Sequence, residues 1–294
     1  MPRPVRVLLT AVLLAGAASA WWSGLLPCTL VVAQPACQLL VTGGPVLDTT
    51  ALLTLGPPAD GGRAIAIREP TGRLLVTTIE VSEPGSVAAW WAGRRDGTVE
   101  VIARTLLVPP GGDLGDVADI GRTRMEESQQ RAVGLALREL GVVATPDASW
   151  AWPVEARFAT DTVGGPSAGL MLALSIIARL APEDPTARLD DAALPPIVVA
   201  GTGALDADGR VLGVGGVTHK LRSVVTDPHV ARLPDAFFLP VDDLASARRI
   251  DVPSELMLVP VGSLAEAVAA LDALRQGGTP AGAVVLGAGH QGGR

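Results

Sequence analysis

The segment from Ser167 to Leu180, SAGLMLALSIIARL, sets the tightest condition on the fold. Read as a helix, it has polar positions only at Ser175 and Arg179, so it offers almost no face suited to water. Such a helix is either a membrane span or the centre of a globular core. The apolar run is about 13 residues, short of the ~20 that cross a bilayer, and Arg179 and an acidic loop close it. The segment therefore predicts a buried central helix, and the rest of the chain must supply the layers around it.

With 294 residues, 48% of them hydrophobic, the chain can build such a core. From Arg63 the runs AIAI, RLLVTTIEV and TVEVIARTLLV are short, β-branched and separated by Gly/Pro turns, which predicts a small sheet. GGDLGD reads as a loop. RMEESQQRAVGLALRELG predicts an amphipathic helix, with Val133, Ala136, Leu137 and Leu140 on one stripe and Gly141 as its stop. VEARFAT reads as a strand ahead of the central helix, and the Pro-rich APEDPTARLDDAALPP after it as a surface excursion. IVVAGTGALDADGRVLGVGGVTHKLRSVV gives a strand, a hairpin turning at Asp208–Gly209, a Gly-rich link and a helix. DAFFLP and ELMLVPV are two further buried strands, each followed by a helical stretch. The fold class is α+β.

The N-terminus adds a second apolar segment. After Arg3 and Arg6 there is no charge for about 20 residues, enough to span a bilayer. The leading arginines favour an N-in orientation, and the Trp21–Trp22 pair suits the far water interface. The same stretch also fits a cleaved signal peptide, with Ala18–Ala20 as a small-residue cleavage site. Both readings export the bulk of the chain, to the extracytoplasmic side of the membrane or into the medium. In that compartment Cys28 and Cys37 can form a local disulfide, or they can pack as two small apolar residues. The domain boundaries that follow are 1–27 for anchor or signal, 28–62 for a stalk or a first pair of irregular strands, 63–275 for the folded domain and 276–294 for a disordered tail. A net charge of −7 excludes a nucleic-acid partner held by phosphate contacts. Two Cys and three scattered His give no metal site, and DADG reads as a hairpin turn rather than a calcium loop.

Ser167 follows Gly164, Gly165 and Pro166 at the mouth of the central helix. Glycines allow close backbone approach, proline suits the first helical turn, and free N–H groups there can stabilise an oxyanion. A nucleophile would be useful at that point, although the pentapeptide also fits an ordinary N-cap serine. A hydroxyl needs a base to take its proton. His229 falls in a loop and His290 in the tail. On a helix from Val217 the apolar stripe is Val217, Leu221, Val224 and Val225, which puts His219 nearly opposite it and Lys220 on its flank. Burial lowers a lysine's pKa, so Lys220 is the candidate base, though its spacing also suits a snorkelling surface lysine.

GGPSAG before an apolar helix, followed in order by AGTGALDADGRVLGVGGVTHK, resembles the proteolytic domain of Lon-type serine proteases. The resemblance runs backward to MEESQQRA and forward through FFLP and LVPVGSLAEAVAAL, covering roughly Arg63 to Leu274. It implies the fold of that domain, which is like domain 2 of ribosomal protein S5, with Ser167 as nucleophile, Lys220 as general base and Thr202 orienting the lysine. Gly165, Pro166 and Ala168 frame the nucleophile. The stretches LLVTTIEV and SQQRAVGLALRELG are similar to those of exported, membrane-anchored Lon-like proteins of Gram-positive bacteria. Those relatives usually carry a PDZ module after the LRELG helix, whereas Gly141 to Asp161 here leaves about 20 residues, too few for one. Many Lon enzymes have an Asp where this chain has Gly164, and Asp161 is the residue that could stand in. No G-x-x-x-x-G-K-[ST] loop is present, so the expected activity is an ATP-independent serine endopeptidase acting on unfolded or flexible proteins without a cofactor. The alternative is a catalytically silent relative that binds peptides or scaffolds the cell envelope. The resemblance also implies a homo-oligomeric ring such as a hexamer.

Overall fold

The computed structural model describes residues 3–22, 28, 34–58, 65–145, 152–160, 163–189 and 194–285. In chain order its elements are α1 (Arg3–Trp22), β1 (Gln38–Asp48), α2 (Thr49–Leu52), β2 (Leu53–Gly56), β3 (Arg73–Ser82), α3 (Val87–Arg95), β4 (Glu100–Ala103), α4 (Leu114–Glu139), β5 (Glu155–Phe158), α5 (Gly169–Leu180), β6 (Val198–Gly201), β7 (Ala204–Leu205), β8 (Val211–Leu212), α6 (Val217–Thr226), β9 (Ala236–Pro240), α7 (Leu244–Ala247), β10 (Met257–Val261), α8 (Leu264–Arg275) and β11 (Val284–Val285). The chain is mixed α+β and divides into two compact units, Met1–Thr42 with Glu80–Val117, and Gly43–Ile79 with Ala118–Arg294.

The second unit is organised by a sheet in the order β11-β10-β9-β6-β3-β1. The pairs β3·β6, β6·β9 and β9·β10 are parallel, and β10·β11 is antiparallel. Side chains of a strand alternate between faces, and here both faces are covered. Ile197, Val199, Ala236, Phe238, Val259 and Val261 join one apolar cluster with α4, α5 and α8. Val198, Ala200, Phe237, Leu239 and Leu258 join a second cluster with α6 and α7. Burial on both faces is why these strands read as unbroken apolar runs. Helix α5 lies inside the first cluster with all twelve residues buried, Ser175 and Arg179 included. The pairs β2·β5 and β7·β8 are separate two-stranded ladders.

In the first unit, Gln38–Val41 pair antiparallel with β4. Helix α3 is capped by Ser86 Oγ, which accepts from Ala89 N at 3.0 Å. The buried Trp90 donates from Nε1 to Gln38 Oε1 at 2.6 Å. Cys28 and Cys37 form a disulfide with 5.4 Å between their Cα atoms. A local bridge of this kind stabilises a fold by about 2–3 kcal/mol in the chain-entropy picture. In α1 the window Pro4–Trp21 has a mean hydropathy of 1.5 and none of it is buried, so the helix is long and apolar enough to cross a membrane.

Several boundaries differ from the sequence reading. Of the two readings of 28–62, stalk or first pair of strands, residues 38–56 follow the second, with β1 and β2 separated by the short α2. Gly43 and Gly44 allow close approach; a Cβ on Gly43 would come within 2.9 Å of the His219 carbonyl oxygen. That contact also explains why His219 is buried at 4% exposure rather than facing water, because β1 covers the side of α6 opposite the apolar stripe. AIAI forms no strand over 65–67. Residues 276–285, assigned to the tail, belong to the fold, since β11 pairs with β10 after a turn in which Gly282 has φ +71°; residues 286–294 lie outside the described residues. GGDLGD starts a helix: Asp113 Oδ1 accepts from Gly115 N and Asp116 N at 2.7 and 3.1 Å, so α4 begins ten residues before the amphipathic stretch. Helix α3 has no counterpart in the sequence reading. Asp161 lies outside the described residues.

Candidate active site

The site forms where the sheet's two covering layers meet, at the C-terminal end of β6. From one face comes the turn Pro166–Ala168 that leads into α5, and from the other comes α6. Between them β6 ends at Gly201 and delivers Thr202. Ligand sites of open parallel sheets lie at this carboxyl edge.

The serine turn is held from three directions. Gly165 has φ +87° and ψ 157°, a conformation open to glycine alone, and its N–H donates to Gly121 O at 2.8 Å. Pro166 at the first position fixes φ and has no donor to lose. Ser128 Oγ on α4 donates to Pro166 O at 3.0 Å. Ser167 O accepts from Gly203 N at 2.8 Å, and Gly203 O accepts from Leu170 N at 3.0 Å, which ties the turn to the end of β6. Ala168 is buried and Ser167 is half-exposed.

Helix α6 starts at Gly216, whose φ of +68° and contact with Ile79 both require a missing Cβ. Lys220 sits one turn in and is buried, at 2% exposure. Its Nζ lies 2.7 Å from Ser167 Oγ and 2.9 Å from Thr202 Oγ1. Thr202 is fully buried, its N–H donates to Phe238 O at 2.9 Å, and its hydroxyl donates to Ser167 O at 3.2 Å. With that proton placed, Thr202 Oγ1 accepts from Nζ. The lone pair of a neutral amine is then left for the serine hydroxyl. Burial pulls the Lys220 pKa down from 10.5 to about 8, and the negative charge of Asp243 partly opposes it. At that value about a tenth of the amines are neutral at pH 7, roughly 300 times the fraction for an ordinary lysine.

The structure thus brings together Ser167, Lys220, Thr202, Gly165, Pro166 and Ala168. It also adds residues that the sequence reading did not name. Asp243, in the turn after β9, accepts from Val214 N at 2.9 Å and so fastens the Gly-rich link that precedes α6. Its own carboxyl is pushed up, mainly by burial, while Lys220 pulls it the other way. Gly121 and Ser128 on α4 hold the nucleophile turn; a Cβ on Gly121 would come within 3.4 Å of Gly164 Cα. One signal was available in the composition. Of the 23 Lys and Arg residues, 22 are arginine and the single lysine is Lys220. An arginine cannot be deprotonated in a protein, so the one cation of a different type stands where a neutral amine is useful.

Asp206 has its Oδ1 engaged by the N–H groups of Asp208 and Arg210, as the DADG turn requires. A cavity of about 380 Å³ lined by Thr54, Gly56, Pro57, Pro58, Glu155 and Arg157 belongs to the β2·β5 ladder and shares no residue with this site. No protein-family model matches the chain, and no curated protein matches it.

Proposed function

We propose that the chain is a serine endopeptidase with a Ser167–Lys220 dyad, of the Lon proteolytic type, that cleaves unfolded or flexible protein without ATP. The observation that carries this reading is the 2.7 Å approach of a desolvated lysine amine to a serine hydroxyl at a helix mouth. The reading of type rests on GGPSAG and GTGALDADGRVLGVGGVTHK in that order.

The chemistry balances with these groups alone. Neutral Nζ takes the Ser167 hydroxyl proton as Oγ attacks the peptide carbonyl carbon. The carbonyl oxygen becomes an oxyanion near the Ser167 N–H, the first donor of its turn because Pro166 has none. The tetrahedral intermediate collapses with loss of the amine, which receives the proton from Lys220. Water then repeats the sequence on the acyl-enzyme and frees Ser167. Thr202 keeps Nζ aimed throughout.

We infer further that α1 anchors the protein, with the catalytic unit extracytoplasmic. The exposed apolar helix and the Cys28–Cys37 disulfide support that topology. The ring assembly that the Lon resemblance implies is read by native mass. The direct test of function is digestion of a permanently unfolded protein without nucleotide. Cleavage that disappears in Ser167→Ala supports the reading. Binding of the same protein with no cleavage, unchanged by Ser167→Ala, would favour a silent peptide-binding relative.

A further inference from the structure

Helix α3 carries an amphipathic pattern that the protease reading does not use. Trp90 and Gly93 point inward and are buried. Val87, Trp91 and Arg95 form a separate stripe at i, i+4, i+8 spacing, with Val87 46% and Trp91 49% exposed, while Arg94, one turn after Trp90, lies on the Trp90 side. The guanidinium of Arg95 lies 5.5 Å from the Trp91 ring centre, and that of Arg94 lies 5.1 Å from the Trp90 ring centre. An exposed Trp with an arginine one turn later, and no acid in the stripe, suits neither a core nor plain water contact.

The position of α3 relative to α1 says what covers it. Trp90 packs edge-on against Trp21, with ring centres 5.3 Å apart. Helix α1 has 20 residues, a length of about 30 Å, which matches the hydrocarbon thickness and leaves nothing to spare. Trp21, its next-to-last residue, is therefore at the water boundary of any bilayer that α1 spans, and a ring in contact with it is at the same depth. Tryptophan is enriched at that depth, and arginine there reaches anionic headgroups.

We propose that the Val87–Trp91–Arg95 stripe of α3 rests on the membrane surface as a second, peripheral contact, with Trp91 among the acyl carbonyls and Arg95 on lipid phosphates. This rests on the reading of α1 as a membrane anchor, and it goes beyond it: one spanning helix would leave the first unit free to pivot, whereas this face fixes it to anionic lipid.

The test uses the full chain in vesicles of phosphatidylcholine with and without phosphatidylglycerol. An environment-sensitive fluorophore is attached at Trp91→Cys, or at Leu13→Cys within α1, the native cysteines being occupied by their disulfide. The Leu13 label should be quenched by lipids spin-labelled deep in the chain in both vesicle types. The Trp91 label should be quenched by lipids spin-labelled near the headgroup and protected from iodide, and more strongly so with phosphatidylglycerol. Arg95→Gln should lower the ratio of docked to undocked protein about fivefold on the anionic vesicles. A Trp91 label as open to iodide as in water, with the Leu13 label buried, would overturn the docking and leave the anchor standing. A Leu13 label that stays in water would remove the anchor and the docking together. Protection of Trp91 without lipid quenching, accompanied by cross-linking to a second copy, would also overturn the proposal.

Discussion

The two ends of α5 each hold a buried cationic side chain type, and the surroundings treat the two in opposite ways. At the N-terminal end Lys220 is 2% exposed, meets two hydroxyls, and is held at a pKa of about 8. At the C-terminal end Arg179 is 5% exposed, and its Nη2 lies 3.4 Å from the Glu69 carboxylate. The helix carbonyls at that end favour a positive charge, whereas the N-terminal end disfavours one. Equal burial therefore does not give equal chemistry. Arg179 meets a carboxylate directly while Lys220 meets two neutral hydroxyls, and only lysine has a proton it can release.

Exchanging the two side-chain types tests that contrast most severely. Lys220→Arg should lower turnover about a thousandfold or more, as should Ser167→Ala, because a guanidinium cannot serve as base. Arg179→Lys should leave turnover unchanged and lower stability by about 1–2 kcal/mol, read from denaturant midpoints. Activity in Lys220→Arg would remove the base from the argument.

Stability gives a second, opposite reading of the same lysine. Its native pKa lies below the unfolded value, so between about pH 8 and 10.5 the unfolded chain holds more protons, and stability rises with pH across that window. Below it, the full cost of desolvating the amine is present. Lys220→Met should thus be inactive yet more stable than wild type near pH 6–7, by on the order of 2–3 kcal/mol, and the gain should shrink as pH approaches 10.5. A variant that is less stable at every pH would show that the amine is not strained by burial.

The smallest effect belongs to Asp243. Asparagine can still accept from Val214 N but carries no charge, so Asp243→Asn should let the Lys220 pKa fall further. The acid limb of the pH–rate profile should then move to lower pH, raising the rate at pH 7 by less than tenfold. A shift to higher pH would mean that Asp243 acts on something other than the lysine's charge.

Much of this was legible in the chain because burial writes itself into apolar pattern. Residues 169–180 could only be interior, and AFFLP and MLVPV could only be strands buried on both faces. The pairing of Ser167 with Lys220 was legible because Gly164, Gly165 and Pro166 mark a helix mouth and the apolar stripe of α6 leaves Lys220 on its flank. The misses share a cause: the residue's role depends on a partner far along the chain. Gly43 carries no signal of its own until α6 is packed on it, and Asp243 none until Val214 N is beside it. His219 was placed by its own helix alone, and the strand that covers it comes from residues much earlier in the chain.

The presence of a single lysine makes the central claim directly measurable. In protein grown with 13C-lysine, the Cε–Hε signals belong to Lys220 alone, and their shift against pH reports its ionisation without assignment. A midpoint near 8 that disappears on Lys220→Met is the result expected of an amine kept from water and aimed at Ser167. A midpoint at the ordinary 10.5 would mean that the amine is protonated throughout the working range, and the Ser–Lys mechanism would have no base.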